Sequence, residues 1–156
     1  MPDSALLDSR RKLIYLVEYK AMTTPLWSKR RLQALRQLSE YNDLTSANVG
    51  LVETAALQNY RRLTEAGLRV ALVVYCAYHP QRLLAEWEER VVTLHSDRVR
   101  LGSSRASFIP YTNVHLDHML PLADFLLREH ALDEPVLRAA VERCKEELGK
   151  EIGGRR

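Results

Sequence analysis

The chain has 156 residues, 46% hydrophobic and 28% charged, which fits one ordinary globular domain able to bury about two-thirds of its unfolded surface. Its 23 basic and 20 acidic residues leave a formal charge of +3, and a pI near 9.0 permits nucleic-acid binding without demanding it. The two cysteines, Cys76 and Cys144, lie far apart with no CxxC spacing, which argues against a zinc site, an iron–sulfur cluster or a disulfide scaffold.

Near the N-terminus Asp3 and Asp8 stand where a signal peptide would carry a basic region before an apolar block. The most apolar stretch, residues 68–78, is too short to cross a bilayer and contains Arg69. A cytoplasmic protein without membrane association is the expectation.

Residues 2–8 read as a first strand, residues 9–12 as a polar turn, and residues 13–20 (Leu-Ile-Tyr-Leu-Val-Glu-Tyr-Lys) as a second strand, together a β-hairpin. Side chains alternate along a strand, so Glu18 and Lys20 project from one face. With the turn centred near Arg10, Asp3 falls opposite residues 17 and 18, within reach of a cation shared with Glu18.

Thr24-Pro25 has the form of a helix start, and Leu32, Leu35 and Leu38 mark one face of a helix running to about Tyr41. Its other face is basic, with Lys29, Arg30, Arg31 and Arg36. A second helix is predicted over residues 47–66, with Leu57, Tyr60 and Leu63 among its apolar positions and Gly67 as its stop.

The valine-rich run 68–78 reads as a central strand, with Cys76 a small core residue. Pro80 then opens a helix carrying Leu83, Leu84 and Trp87. Residues 91–101 read as a hairpin turning at Ser96-Asp97, and residues 102–113 as irregular with a short strand at 107–109. Two helices, 114–130 and 135–148, finish the predicted order, and residues 149–156 form a frayed tail.

No repeat or linker interrupts this order. It predicts one domain over residues 1–148, α/β or α+β, with a mixed central sheet and an N-terminal hairpin flanked by helices.

Asp3 opening one strand and Glu18-Tyr19-Lys20 closing the next resemble the PD-(D/E)XK nuclease superfamily, the restriction-endonuclease-like fold. In the following helix, Gln37 and Tyr41 resemble the glutamine-x-x-x-tyrosine motif of its RecB-like and lambda-exonuclease-like branch. The resemblance covers residues 2–41 by motif and 42–90 by element order.

It implies metal-dependent hydrolysis of DNA phosphodiester bonds. Asp3 and Glu18 would hold Mg²⁺ or Mn²⁺, Lys20 would act on the attacking water and the transition state, and Lys29, Arg30, Arg31, Gln37 and Tyr41 would contact DNA. Hard divalent cations are held by a few carboxylates with water and phosphate oxygens, which is why this chemistry needs clustered acids. The RecB-like pattern places a further acidic or histidine ligand on a helix before the hairpin. Here the hairpin comes first, and Glu53 is the nearest spare acid.

Two other readings stand beside this one. The first is a catalytically inactive nuclease-like subunit that binds DNA in a replication, mobilisation or repair assembly, as a homodimer or with a partner protein. The second is a purely structural partner subunit. His115 and His118, three apart on a predicted helix, read as solvated or capping residues because no further ligands cluster near them in sequence. Arg90 and His95 have the spacing of some helical ribonucleases, but the β-branched residues between them favour a strand.

Overall fold

The computed structural model describes residues 2–7, 10, 12–25, 27–99, 109–130 and 133–153. The chain is mixed α/β. A five-stranded mixed sheet and a three-stranded antiparallel sheet are accompanied, among the described residues, by four α-helices.

The larger sheet has the order β1-β2-β4-β5-β8, formed by β1 (Ser4–Leu7), β2 (Leu13–Met22), β4 (Val70–Cys76), β5 (Leu83–Trp87) and β8 (Leu120–Pro121). β1 runs antiparallel to β2, with Ser4 opposite Val17. β2 runs parallel to β4, with Glu18 opposite Leu72 and Lys20 opposite Val74. Every residue of β4 is buried, as expected of a strand covered on both faces. The predicted central strand is therefore present, and Cys76 lies in the core.

The smaller sheet has the order β3-β7-β6: β3 (Val49–Glu53), β7 (Ile109–His115) and β6 (Thr93–Val99). It corrects three expectations. The predicted helix 47–66 is a strand followed by the shorter helix α2 (Thr54–Glu65), because Val49, Leu51 and Val52 gain more from pairing with β7 than from one helical turn. The predicted hairpin at Ser96-Asp97 is one continuous strand, whose partner is β7. The predicted helix 114–130 instead begins with the end of β7, then a 3₁₀ turn at Leu116–His118, β8, and only then α3 (Leu122–Glu129). Of the short strand expected at 107–109, residues 107 and 108 lie outside the described residues, and Ile109 opens β7.

The helix expected after Pro80 is β5. Its five residues are all buried, and a run buried on every side has no amphipathic period to separate helix from strand. The first helix, α1, spans Lys29–Leu38, not residues 25–41. Its cap is Ser28, whose hydroxyl accepts from the Arg31 amide. The C-terminal helix α4 (Glu134–Gly153) runs through the first part of the expected frayed tail; residues 154–156 lie outside the described residues.

Strand alternation divides β2 between two cores. Tyr15 and Val17 face one built with Trp87, Phe125 and Val141 from β5, α3 and α4. Leu16 and Met22 face the other, with Val52, Leu57, Tyr60, Val114 and Leu116 from the second sheet, α2 and the turn after β7. The second sheet comes close at Gly50, where a Cβ would lie 2.9 Å from Leu116 Cδ2 and from Met22 Sδ. Residue 50 must be small for β3 to approach the end of β2. α1 caps the far side of this sheet, its Leu35 packing with Leu44 and Val49.

Candidate active site

Glu18 and Lys20 lie between Leu16 and Met22 on the face of β2 that looks at α2 and the second sheet. The Glu18 side chain is only 3% exposed and forms an ion pair with Lys20, which is 31% exposed. The other carboxylate oxygen, Oε2, is buried with no hydrogen-bond partner among the described residues. A buried carboxylate oxygen without a partner is costly, and it is the feature that sets this place apart.

Asp3 arrives from the adjacent strand in the register expected. Its Oδ2 accepts the Tyr19 amide at 2.8 Å, so the carboxylate is held at the end of β1 beside the Glu18-Tyr19-Lys20 segment.

Three further residues join this group. Tyr60, on α2, is buried. Its hydroxyl is held protonated well above the ordinary tyrosine range, first by burial, then by the neighbouring Glu18 carboxylate, with Asp3 and Glu53 adding to it. Glu53 is the last residue of β3 and precedes the first turn of α2, with no side-chain cap bond. Tyr111, opposite Glu53 in the β3–β7 ladder, is also raised, by burial and by Glu53, while Lys20 pulls it down. Glu53 acts on both phenols, Glu18 and Asp3 on Tyr60, and Lys20 on Tyr111.

Sequence reading noticed Glu53 only as a spare acid and Tyr60 only as an apolar helix position. Nothing in the chain singled out Tyr111. Its signal is a sheet register between residues 58 apart, which no local pattern carries.

Two cavities flank the acids along the same face of β2. On the Leu16 side one of about 630 Å³ is lined by Pro2, Ser4, Leu16, Tyr60 and Arg62 among others. On the Met22 side one of about 310 Å³ is lined by Thr23, Thr24, Trp27, Tyr78 and Tyr111 among others.

The remaining predicted residues lie elsewhere. Lys29, Arg30 and Arg31 form the first turn of α1 and Gln37 its exposed last turn. Tyr41 follows the helix, its ring 5.0 Å from that of His115 and 5.1 Å from that of His118. Those two histidines are not on a helix. His115 closes β7 and His118 sits in the following 3₁₀ turn, their rings 4.5 Å apart. His115 is fully buried with Nε2 3.3 Å from Asp43. Arg90 ends a 3₁₀ turn and His95 lies on β6, so the two share no helix, as the β-branched residues between them suggested.

Among the described residues no group of three or more His, Cys, Asp or Glu side chains converges to hold a metal ion. The site offers less than a complete cage: one buried, unpartnered carboxylate oxygen and a second carboxylate on the next strand. That donor set suits Mg²⁺, which keeps several waters and often uses only one or two carboxylates with substrate phosphate oxygens. Among the described residues, no helix is long and apolar enough to cross a membrane.

Compared with protein-family models, curated proteins and solved structures, the chain matches none.

Proposed function

We propose that the chain is a divalent-metal-dependent deoxyribonuclease of PD-(D/E)XK type, with Asp3, Glu18 and Lys20 at its centre. One observation carries this reading: Glu18 is buried in the second half of β2, ion-paired with Lys20 two residues on, with an oxygen that has no hydrogen-bond partner among the described residues, and Asp3 is held on the neighbouring strand. A purely structural ion pair has no use for that oxygen. The restriction-endonuclease-like architecture is supported by the antiparallel β1–β2 pair followed, after intervening elements, by β4 parallel to β2.

Asp3 and Glu18 would hold Mg²⁺ or Mn²⁺, and the bound cation would offset charge developing on the phosphate and acidify the attacking water. Lys20, part exposed and fixed on Glu18, presents its ammonium where a phosphate oxygen would lie and can orient the water. Burial keeps Tyr60 protonated, so it serves as a hydrogen-bond donor toward the carboxylates. Glu53 adds negative charge that strengthens cation binding.

Cleavage of plasmid and linear DNA with Mg²⁺ or Mn²⁺ tests the reading. Glu18→Ala and Lys20→Ala should each lower the rate at least a hundredfold while the far-UV circular dichroism stays that of the wild type. Unchanged rates in both would sink the site.

A second reading rests on Lys20 being tied to Glu18 and on there being, among the described residues, no third converging ligand: a nuclease-like subunit that binds DNA without cutting it, within a larger assembly. Salt-sensitive binding without cleavage under any divalent metal would select it.

A further inference from the structure

The cavity on the Met22 side has a composition that the carboxylate site does not explain. It is lined by three aromatic residues, Trp27, Tyr78 and Tyr111, together with Met22, Thr23 and Thr24 among others. Tyr78 is anchored, its hydroxyl donating to the Val49 carbonyl at 3.2 Å. Trp27 is part exposed, and its indole Nε1–H is buried without an acceptor among the described residues. Tyr111 belongs to both places: it lines the cavity and feels the charges of Glu53 and Lys20.

We propose that this cavity receives one unpaired nucleobase of a DNA strand whose phosphate lies at Glu18 and Lys20. The inference rests on the nuclease reading for the phosphate's position, and it names the substrate class as single-stranded or locally unpaired DNA. At about 310 Å³ the space is at the small end of ligand pockets, which run roughly from 300 to 1,000 Å³. It has room for a single flat heterocycle, and the aromatic side chains that line it can stack on a base only when its face is not covered by neighbouring pairs.

Its chemistry matches that occupant. Aromatic faces stack on any base. The threonine hydroxyls can donate or accept. Positive charge for the flanking backbone stands next to it, because α1 opens with Lys29, Arg30 and Arg31. The Arg31 guanidinium lies 5.5 Å from the centre of the Trp27 ring. A peptide or lipid would use the apolar surface but would draw nothing from the neighbouring positive charge of Lys29 and Arg30 or from the hydroxyls.

The test uses the full chain, a fluorescently labelled dT10 and a 20-base-pair duplex, with binding followed by anisotropy in Ca²⁺. Wild type should bind dT10, Trp27→Ala should weaken that by about tenfold, and duplex affinity should change less than twofold. Thr24→Trp, which places bulk at an exposed residue lining the cavity in the loop after β2, should produce the same selective loss, and it guards against a folding defect in Trp27→Ala. Intrinsic fluorescence gives an independent readout. Trp87 is fully buried, so quenching by unlabelled dT10 should report Trp27 and vanish in Trp27→Phe.

Unchanged dT10 affinity in both variants, an equal loss on duplex, or no binding of dT10 by the wild type would overturn the proposal. The two readings fail separately. Cleavage that persists in Glu18→Gln would remove the catalytic assignment, whereas the selective effect at Trp27 is read from binding alone.

Discussion

Glu18 combines near-complete burial with an oxygen that makes no close hydrogen bond among the described residues, the Tyr60 hydroxyl being its polar neighbour. Its counter-charge, Lys20, is part exposed. Removing one partner of a buried ion pair costs roughly 3–5 kcal/mol, and partial exposure should reduce this. Lys20→Met is therefore expected to destabilise the fold by about 2 kcal/mol in urea titrations. Glu18→Gln, which keeps the shape and removes the buried charge, should stay within about 1 kcal/mol of wild type. If Asp3 and Glu18 take up the cation, millimolar Mg²⁺ should raise the melting temperature of the wild type and leave that of Glu18→Gln unmoved. The type and spacing of Asp3, Glu18 and Lys20 were legible in the chain, because alternation along a hairpin is a local rule.

At the scale of elements, the site depends on how closely β3 approaches β2. Gly50 permits this, since any Cβ there meets Leu116 Cδ2, Met22 Sδ and, at 3.0 Å, Val114 Cγ2. The leucine and methionine tips can yield, while the branched valine is stiffer. Gly50→Ala should therefore cost about 1–2 kcal/mol by overpacking, measured by urea denaturation. It should also lower the cleavage rate, because Glu53 at the end of β3 moves with it. The same scale explains the misread elements. β5 is buried at every residue, so no polar stripe marked its period. β3 is followed at once by α2, and its apolar residues merged with those of the helix into a single helical pattern. The apolar positions Leu57, Tyr60 and Leu63, by contrast, marked α2 correctly, because a one-sided helix writes its period into the sequence.

For the whole molecule, a junction between the sheets lies at Asp117, in the turn after β7. It accepts from Asn48, just before β3, at 2.8 Å, and its other oxygen is 2.9 Å from His79 Nε2, just after β4. Burial alone would raise the Asp117 pKa, but the hydrogen bonds from His79 and Asn48 outweigh it and hold the pKa below the usual aspartate value. A depressed folded-state pKa stabilises the fold above the unfolded value, near 4 for aspartate, and that contribution is lost as pH falls through the folded one. Melting temperatures between pH 6 and pH 2 should therefore fall more steeply below about pH 4 in wild type than in Asp117→Asn. With the side chain half exposed the difference is expected to be small.

Charge acts over the same scale. If Lys29 and Arg30 on the first turn of α1 contact DNA phosphates, each replacement by Gln should weaken binding alike on different sequences. Each should also reduce the slope of log affinity against log salt by about one, as read from titrations across a salt series.

By itself the sequence determined what is local: a hairpin with its acids in register, a valine-rich strand at its neighbour, two helices with one apolar face, and a long C-terminal helix. Each is written in periods of two or 3.6 residues that any window of the chain contains. Only the tertiary structure decided the second sheet, since β3, β6 and β7 are strands by virtue of partners far away in sequence. It also decided which side chains surround the carboxylates. Tyr60 comes to Glu18 through the packing of α2, Glu53 and Tyr111 are brought opposite each other by sheet pairing, and Trp27 comes to share a cavity with Tyr111. Such neighbours are set by the burial that stabilises the whole fold, so no residue taken with its near neighbours can announce them.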